Sequence, residues 1–562
     1  TKTKRAGDDD ATRLAPLFAA LDSGVETLVV TALAELAAEG EATIEFARAK
    51  LPKRRDTPAA IHEAHVTPDV ARHLLALARR ADLPLGHATR DKHPTLARAI
   101  VDAIAGAADP EQAARMLASF FSRLGRPGVY ARALADDLHS LHKLVALFGA
   151  SAFLGEALVG HPELADSVVF TKGTPTPEHA RREVDVEVAN ANVEAAEDPG
   201  EALVSALRRA KARLTVEVGI AELAGELTTR EATLVLTAIA DATLEHATRL
   251  ALAERSIEGG LSVVAMGKLG GREIGYGSDL DIFFVYDTSK SEHAEKYVRA
   301  AQRVLRLVSA PHGDGPGYEL DTRLRPSGSH GLLVVSLEAF ANYHGLAEDG
   351  SPRFDVRSHG PEAHDWERQA LVKSRPCAGD TELGARVSAM AARIAYERPA
   401  PDPQRVNHLR MRMENELARE GPTRFDVKLG RGGIVDVEFA VQWLQMKYGA
   451  DRRVRTTDTE TALSALEACG YLDAGAAAVL REGYGFLRRL EQALRVVHGT
   501  SASLIEQGAP GLTALARRTG FREGKAAAAE ALLERYLTVT RDVRAAYVTV
   551  LGLETKNEAK IE

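Results

Sequence analysis

The sequence has little cysteine, few aromatic residues, no long apolar run and no surplus of positive charge. Its 562 residues include two cysteines, Cys377 and Cys469. These have neither the CxxC spacing of a zinc or redox site nor the density of a disulfide scaffold, which sets those classes aside and predicts a reducing, cytoplasmic setting. Aromatics make up 5% of residues while alanine, leucine, glutamate and arginine recur throughout, a composition that favours helix over sheet. No apolar run approaches the roughly 18 residues that cross a bilayer, so no membrane partner is expected. A formal net charge of −8 has the wrong sign for a broad surface that neutralises a phosphate backbone, which argues against nucleic acid as a partner. The opening TKTKRAGDDD lacks the apolar core of a signal peptide and an initiating Met, so a piece of a longer chain is expected.

What the sequence does have is concentrated at Leu261–Asp287, LSVVAMGKLGGREIGYGSDLDIFFVYD. An apolar run ends in Gly267-Lys268 and a glycine-studded loop; then come Asp279 and Asp281, spaced D-x-D, and a second apolar run. Successive side chains of a strand point to opposite faces, so the two aspartates project the same way. Side-by-side carboxylates repel unless neutralised, and a hard divalent cation such as Mg²⁺, which prefers carboxylate and phosphate oxygens, does this best. Farther on, YELDTRLRPSG read as a strand puts Glu319, Asp321, Arg323 and Arg325 on one face. Beside the D-x-D strand, Asp321 would supply a third carboxylate and the arginines would hold phosphate oxygens. The alternative is an exposed strand laced by ion pairs.

A chain of this length exceeds what one core usually supports, so several compact units are expected: a helical region at 1–110, a helical lead-in at 111–255, a catalytic core at 256–395 and a helical bundle at 396–562. Apolar spacing predicts helices over 11–37 and 59–81, separated by the basic linker LPKRRDTP with Lys53, Arg54 and Arg55. Leu134, Leu138, Leu141, Val145 and Phe148 predict one helix of about four turns. Thr171 to Gly200, with TPTP and few large apolar residues, reads as a linker or loop. Two helices should follow, the second opened by Thr228 with Glu231 as a capping box. Residues 345–364, with His359 and His364, read as a surface insertion without zinc spacing. DWERQALVKSR reads as a helix whose Glu367, Arg368, Lys373 and Arg375 either line a cleft or form its wet face. FDVKLGRGGIVDVEF reads as a short strand with Phe425, Val427 and Leu429 inward, a glycine turn offering free N–H groups to an anion, and a helix from Ile434. Asp436 and Glu438 in its first turn either favour the helix dipole or reach the site. Leu487, Leu490 and Leu494 belong to a terminal bundle.

The Gly-Lys turn, the D-x-D pair and a third acid on a neighbouring strand form the general layout of a nucleotidyltransferase of the DNA polymerase β type. More narrowly, MGKLGGREIGYGSDLDI, YELDTRLRPSGSHGLLV, DWERQALVKSR and FDVKLGRGGIVDVEF together resemble the glutamine synthetase adenylyltransferase family, whose members carry one half that attaches AMP and another that removes it. The wording is more similar to the C-terminal, adenylylating half, and the upstream FFSRLGRPGVYARALADDLHSLHKLVALFGASAFLGEALVGHPELADSVV is similar to the segment that opens that half. The resemblance covers about 110–550. It implies a mostly α chain with a small α/β nucleotidyltransferase core flanked by helical regions, ATP as substrate, Mg²⁺ (two ions), glutamine synthetase as protein substrate and PII as a signalling partner. It places Asp279, Asp281 and Asp321 as metal-binding and catalytic acids, and Gly267, Lys268, Ser278, Arg323 and Arg325 on the nucleotide. The implied reaction is AMP transfer to a tyrosine; the alternatives are phosphorolytic removal of AMP, a catalytically silent PII-sensing module, or an RNA-directed transferase that the net charge disfavours.

Overall fold

The computed structural model describes residues 14–36, 67–162, 164–165, 173–288, 294–347, 349–351, 363–498, 503–509, 511–521 and 527–553. The basic linker, His359 and most of the 345–364 insertion lie outside them. The described chain is mostly helical with a small mixed sheet, as composition leads one to expect. No single helix among the described residues is long and apolar enough to cross a membrane. The chain divides into two compact units, one of 1–174, 215–228 and 496–499, the other of 175–214, 229–495 and 500–562.

The first unit is helical. Helices Pro94–Gly106, Pro110–Arg123 and Leu138–Ala150 pack on one another around Leu117, Phe120, Leu141 and Phe148, all fully buried. The single helix expected across Leu134–Phe148 is two, Pro127–Asp136 and Leu138–Ala150. Asp137 divides them: its carboxylate accepts from the N–H groups of His139 and Ser140 and from the Ser140 hydroxyl. An N-cap of this kind starts a new helix even where the apolar period runs straight through.

The second unit is built on a sheet of five strands, β1 (Leu261–Ala265), β2 (Leu280–Tyr286), β3 (Leu320–Asp321), β4 (Val334–Ser336) and β5 (Arg375–Gly379). β1 pairs antiparallel with β2 and β5, whereas β3 and β4 each pair parallel with β2. β1 and the centre of β2 are buried throughout, which explains their continuous apolar runs: a strand covered on both faces has no reason to alternate. One face packs Val264, Phe283 and Val285 against Phe340, Val387 and Ile394.

The linker expected at Thr171–Gly200 is largely a helix, Pro177–Asn190, packed on the long helix Thr229–Ala253. The TPTP read as a breaker is its start signal: the Thr176 side chain caps the N–H of His179, and Pro177 occupies the first helical position, where the missing N–H costs nothing. Ala180 and Val184 are the buried side chains, too small a stripe to register as a periodic pattern. The two helices expected next are Pro199–Leu223 and Thr229–Ala253. The bundle expected at the C-terminus is present, with Leu487, Leu490 and Leu494 in its core. The short strand expected at FDVKL is present as β6 (Arg424–Asp426), and it pairs antiparallel with a strand that was not expected, β7 (Leu504–Glu506). On β6 and beyond it Val427 is fully buried, but Asp426 is buried as well, and Phe425 and Leu429 are half-buried.

Candidate functional site

The β1–β2 turn begins at Gly267, whose φ of +51° lies in the left-handed region. A Cβ there would stand 2.5 Å from Asp281 Oδ2, so the glycine serves both the backbone conformation and the close approach of the carboxylate. Asp281 is the second residue of β2 and half-buried, and β3 pairs with β2 in parallel register, Leu280 opposite Leu320 and Asp281 opposite Asp321. Asp279, just ahead of β2, is exposed. One carboxylate oxygen from each of Asp279, Asp281 and Asp321 falls within 4.8 Å of the others.

The electrostatics of this cluster are uneven. Burial, followed by the charges of Asp279 and Asp321, pushes the Asp281 carboxyl up to about 7. Asp321 is held below the usual carboxylate range by its hydrogen bonds from Arg323, whose backbone N–H and Nε donate to Oδ1 at 2.8 and 3.0 Å, and whose Nε also reaches Oδ2 at 2.9 Å. An all-oxygen donor set with converging negative charge suits a hard divalent cation, and the residues present fit one.

The extended reading of YELDTRLRPSG is corrected here. β3 ends at Asp321 and the chain turns, so Arg323 and Arg325 do not continue a strand face. Arg323 folds back on Asp321, and Arg325 closes its own turn by donating to Thr322 O and Oγ1 and to Gly331 O. The ladder that a period of two presumes stops at Asp321, and turns begin at Arg323, before Pro326 is reached.

Lys268 is nearly buried and pairs with Glu491 of the helix Ala474–His498. Glu491 also receives Arg488 and Arg495. Desolvation, opposed by Glu491 and aided by the two arginines, pushes the Lys268 ammonium down to about 7. The buried Ser278 hydroxyl accepts from the Gly275 N–H at 2.9 Å and from Arg495 Nη1 at 2.6 Å, which ties the D-x-D loop to one of these arginines.

Beside the carboxylates lies a cleft of about 290 Å³ whose polar lining includes Gly267, Lys268, Asp281, Lys373, Lys428 and Glu438. Lys373 is buried and donates to Glu273 at 2.6 Å and Glu438 at 2.7 Å. Glu367 and Arg368 are also buried, so the segment DWERQALVKSR has a cleft and core face where a wet one was the alternative. Glu367 closes a capping box with His364, while Arg368 donates to four carbonyls, those of Ile394, Ala395, Arg398 and Pro399. Arg375 pairs with Asp241.

The glycine turn after Lys428 offers less than its sequence suggests. The N–H groups of Gly432, Gly433, Ile434, Val435 and Asp436 go to Asp436 Oδ2 and to the carbonyls of Gly430, Val427, Lys428 and Gly433. Asp436 is fully buried and pairs with Arg410 and Arg544, so it braces the turn, whereas Glu438 reaches the cleft. Sequence reasoning missed Lys428, Glu273 and Glu491. Lys428 stands inside a quoted motif, yet a lone lysine before a glycine turn carries no periodic signal, and the two acids sit among ordinary helix and loop charges.

Comparison with known proteins adds the following. Residues 141–390 match the family described as glutamate-ammonia ligase adenylyltransferase, and residues 405–551 match the one described as GlnD PII-uridylyltransferase. The chain is 35% identical to a bifunctional glutamine synthetase adenylyltransferase/adenylyl-removing enzyme of Methylococcus capsulatus, over 66% of this chain and 40% of that protein. It is 32% identical to the enzyme of that name from Bordetella bronchiseptica, over 76% and 46%. The chain thus spans less than half the length of these curated relatives.

Proposed function

Residues 141–390 belong to the glutamate-ammonia ligase adenylyltransferase family, and from that premise we propose that the cleft at Asp279, Asp281 and Asp321 moves AMP from ATP to a tyrosine hydroxyl of glutamine synthetase. The observation that carries this reading is the parallel register of Asp281 with Asp321, which gathers the carboxylates. In this reading the mixed sheet is a nucleotidyltransferase core of the DNA polymerase β type, and Asp279, Asp281 and Asp321 would hold Mg²⁺, which when bound would supply positive charge at the phosphates.

The tyrosine oxygen forms a bond to the α-phosphorus as the bond to the bridging oxygen breaks, and pyrophosphate leaves. A phenol with an ordinary pKa near 10 needs help to lose its proton. Asp321 is the acceptor: in the free chain Arg323 neutralises it, and when Arg323 turns to the phosphate oxygens the carboxylate becomes the more basic partner. Lys268 and Lys428, both in the cleft lining, face the triphosphate. Gly267 keeps the turn close to Asp281, and Ser278 holds the loop.

A second reading runs the same groups in reverse, as phosphorolytic removal of AMP. It is favoured by the relatives' name, which includes adenylyl removal. Match of residues 405–551 to a family named for PII uridylylation supports PII as a partner. A silent docking module fits poorly, since three converging acids with one arginine between them, Arg323 on Asp321, would destabilise the chain with no return. The test is labelled-ATP transfer onto purified glutamine synthetase, with and without PII and glutamine. Asp279→Asn and Asp281→Asn should each lower transfer at least about a hundredfold while thermal unfolding stays unchanged or rises. Full activity in either variant sinks the reading; ADP formed from AMP-modified glutamine synthetase and phosphate would establish the reverse one.

A further inference from the structure

Metal and phosphate chemistry leaves the apolar part of the cleft without a role. Leu409, Met413 and Phe439 line it together with Trp366, a large aromatic that is 39% exposed. Between these walls two amides meet: Gln369, 5% exposed, donates from Nε2 to Gln442 Oε1 at 2.8 Å. That bond uses one polar atom of each. Among the described residues, Gln369 Oε1 and Gln442 Nε2 have no partner, and both residues line the cleft. An acceptor beside a donor, set between apolar walls, is the complement of a flat heterocycle that presents a donor beside an acceptor.

We propose that Gln369 and Gln442 read the base of the bound nucleotide, an adenine whose N6 amino group donates to Gln369 Oε1 and whose neighbouring ring nitrogen accepts from Gln442 Nε2, with the Trp366 ring against the purine. This rests on the cleft being the nucleotide site. The mutual bond sets the order of acceptor and donor, since each amide holds the other's orientation. Guanine presents a carbonyl beside an N–H, the opposite order, and is accommodated only if both amides turn over together.

Intrinsic fluorescence of the whole chain tests this directly. Of the two tryptophans, Trp443 is buried with its indole N–H on Pro401 O, so Trp366 is the one a base can reach. Mg·ATP should quench emission, Mg·tripolyphosphate should bind by calorimetry without quenching, and Mg·GTP should bind about tenfold more weakly than Mg·ATP. Gln369→Met and Gln442→Met should each weaken Mg·ATP about tenfold and leave Mg·tripolyphosphate affinity unchanged, which also shows that the variants fold. Trp366→Leu should abolish the quench. Mg·ATP binding that ignores both glutamines, or parallel loss of ATP and tripolyphosphate, overturns the base assignment alone. A chain that binds tripolyphosphate and ATP equally well, without quenching, overturns it too. A chain that binds no Mg·ATP overturns the proposed function and this inference with it.

Discussion

Asp281 and Asp321 lie directly opposite each other on parallel neighbouring strands, and the burial of the first with the Arg323 fork on the second makes them chemically unequal. Asp281 is pushed up to about 7, while Asp321 is held low. Two carboxylates in one small volume are tolerated without a cation because one is partly protonated near neutrality and the other is already paired.

Gly267→Ala should disable the site at small cost to the fold. The left-handed backbone costs an alanine about 1–2 kcal/mol, and its Cβ would press on Asp281 Oδ2. Calorimetry with Mn²⁺ should show an affinity loss of about tenfold or more, with the unfolding temperature only slightly lowered. Unaltered metal affinity would mean that Asp281 is not a ligand.

Arg323→Gln should act in opposite directions on metal and nucleotide. Arg323 is 77% exposed, so its pair with Asp321 is worth about 0.2–1 kcal/mol. Losing it frees Asp321, and Mn²⁺ alone should bind up to about fivefold tighter. AMP transfer should nonetheless slow, because the guanidinium proposed to turn to the phosphates is gone. Weaker Mn²⁺ binding would instead make Arg323 a brace that holds Asp321 in place.

Glu491→Gln should remove stability that depends on pH. Burial works against the Glu491 charge, but Lys268, Arg488 and Arg495 outweigh it and hold the carboxyl well below its usual range. A folded value below the unfolded one, about 4.3, contributes stability above that pH and loses it as pH falls toward the folded value. The variant leaves buried cations uncompensated and should be about 3–5 kcal/mol less stable at pH 7. In the parent chain the Glu491 contribution should be lost only as pH falls below about 4.3, and urea unfolding at pH 7 should show the full gap between the two chains. Equal stability of parent and variant at pH 7 would mean that Glu491 carries no charge there.

Much of this protein is written locally. The apolar runs at Leu261 and Leu280 make strands wherever they are buried, and the D-x-D spacing brings Asp279 and Asp281 together although Asp279 lies just ahead of β2. The leucines at 487, 490 and 494 make a core helix face by their spacing. Motif wording pointed to the family that residues 141–390 match. Caps were legible but easily misread: TPTP is a helix start because Thr176 finds an N–H and Pro177 needs none, and Asp137 divides an unbroken apolar stripe.

The tertiary structure alone decided which charges meet. Asp321 faces Asp281 because β3 joins the sheet beside β2, and the chain then leaves the sheet so that Arg323 returns to Asp321. Lys268 meets Glu491, Lys373 meets Glu273 and Glu438, and Gln369 meets Gln442 across elements far apart in sequence. Strand and helix periods arise from backbone geometry and therefore appear in any short window. Ion pairs and amide pairs have no period; they depend on strand order and on how helices pack, so the site's carboxylates could be named from the sequence while their partners could not.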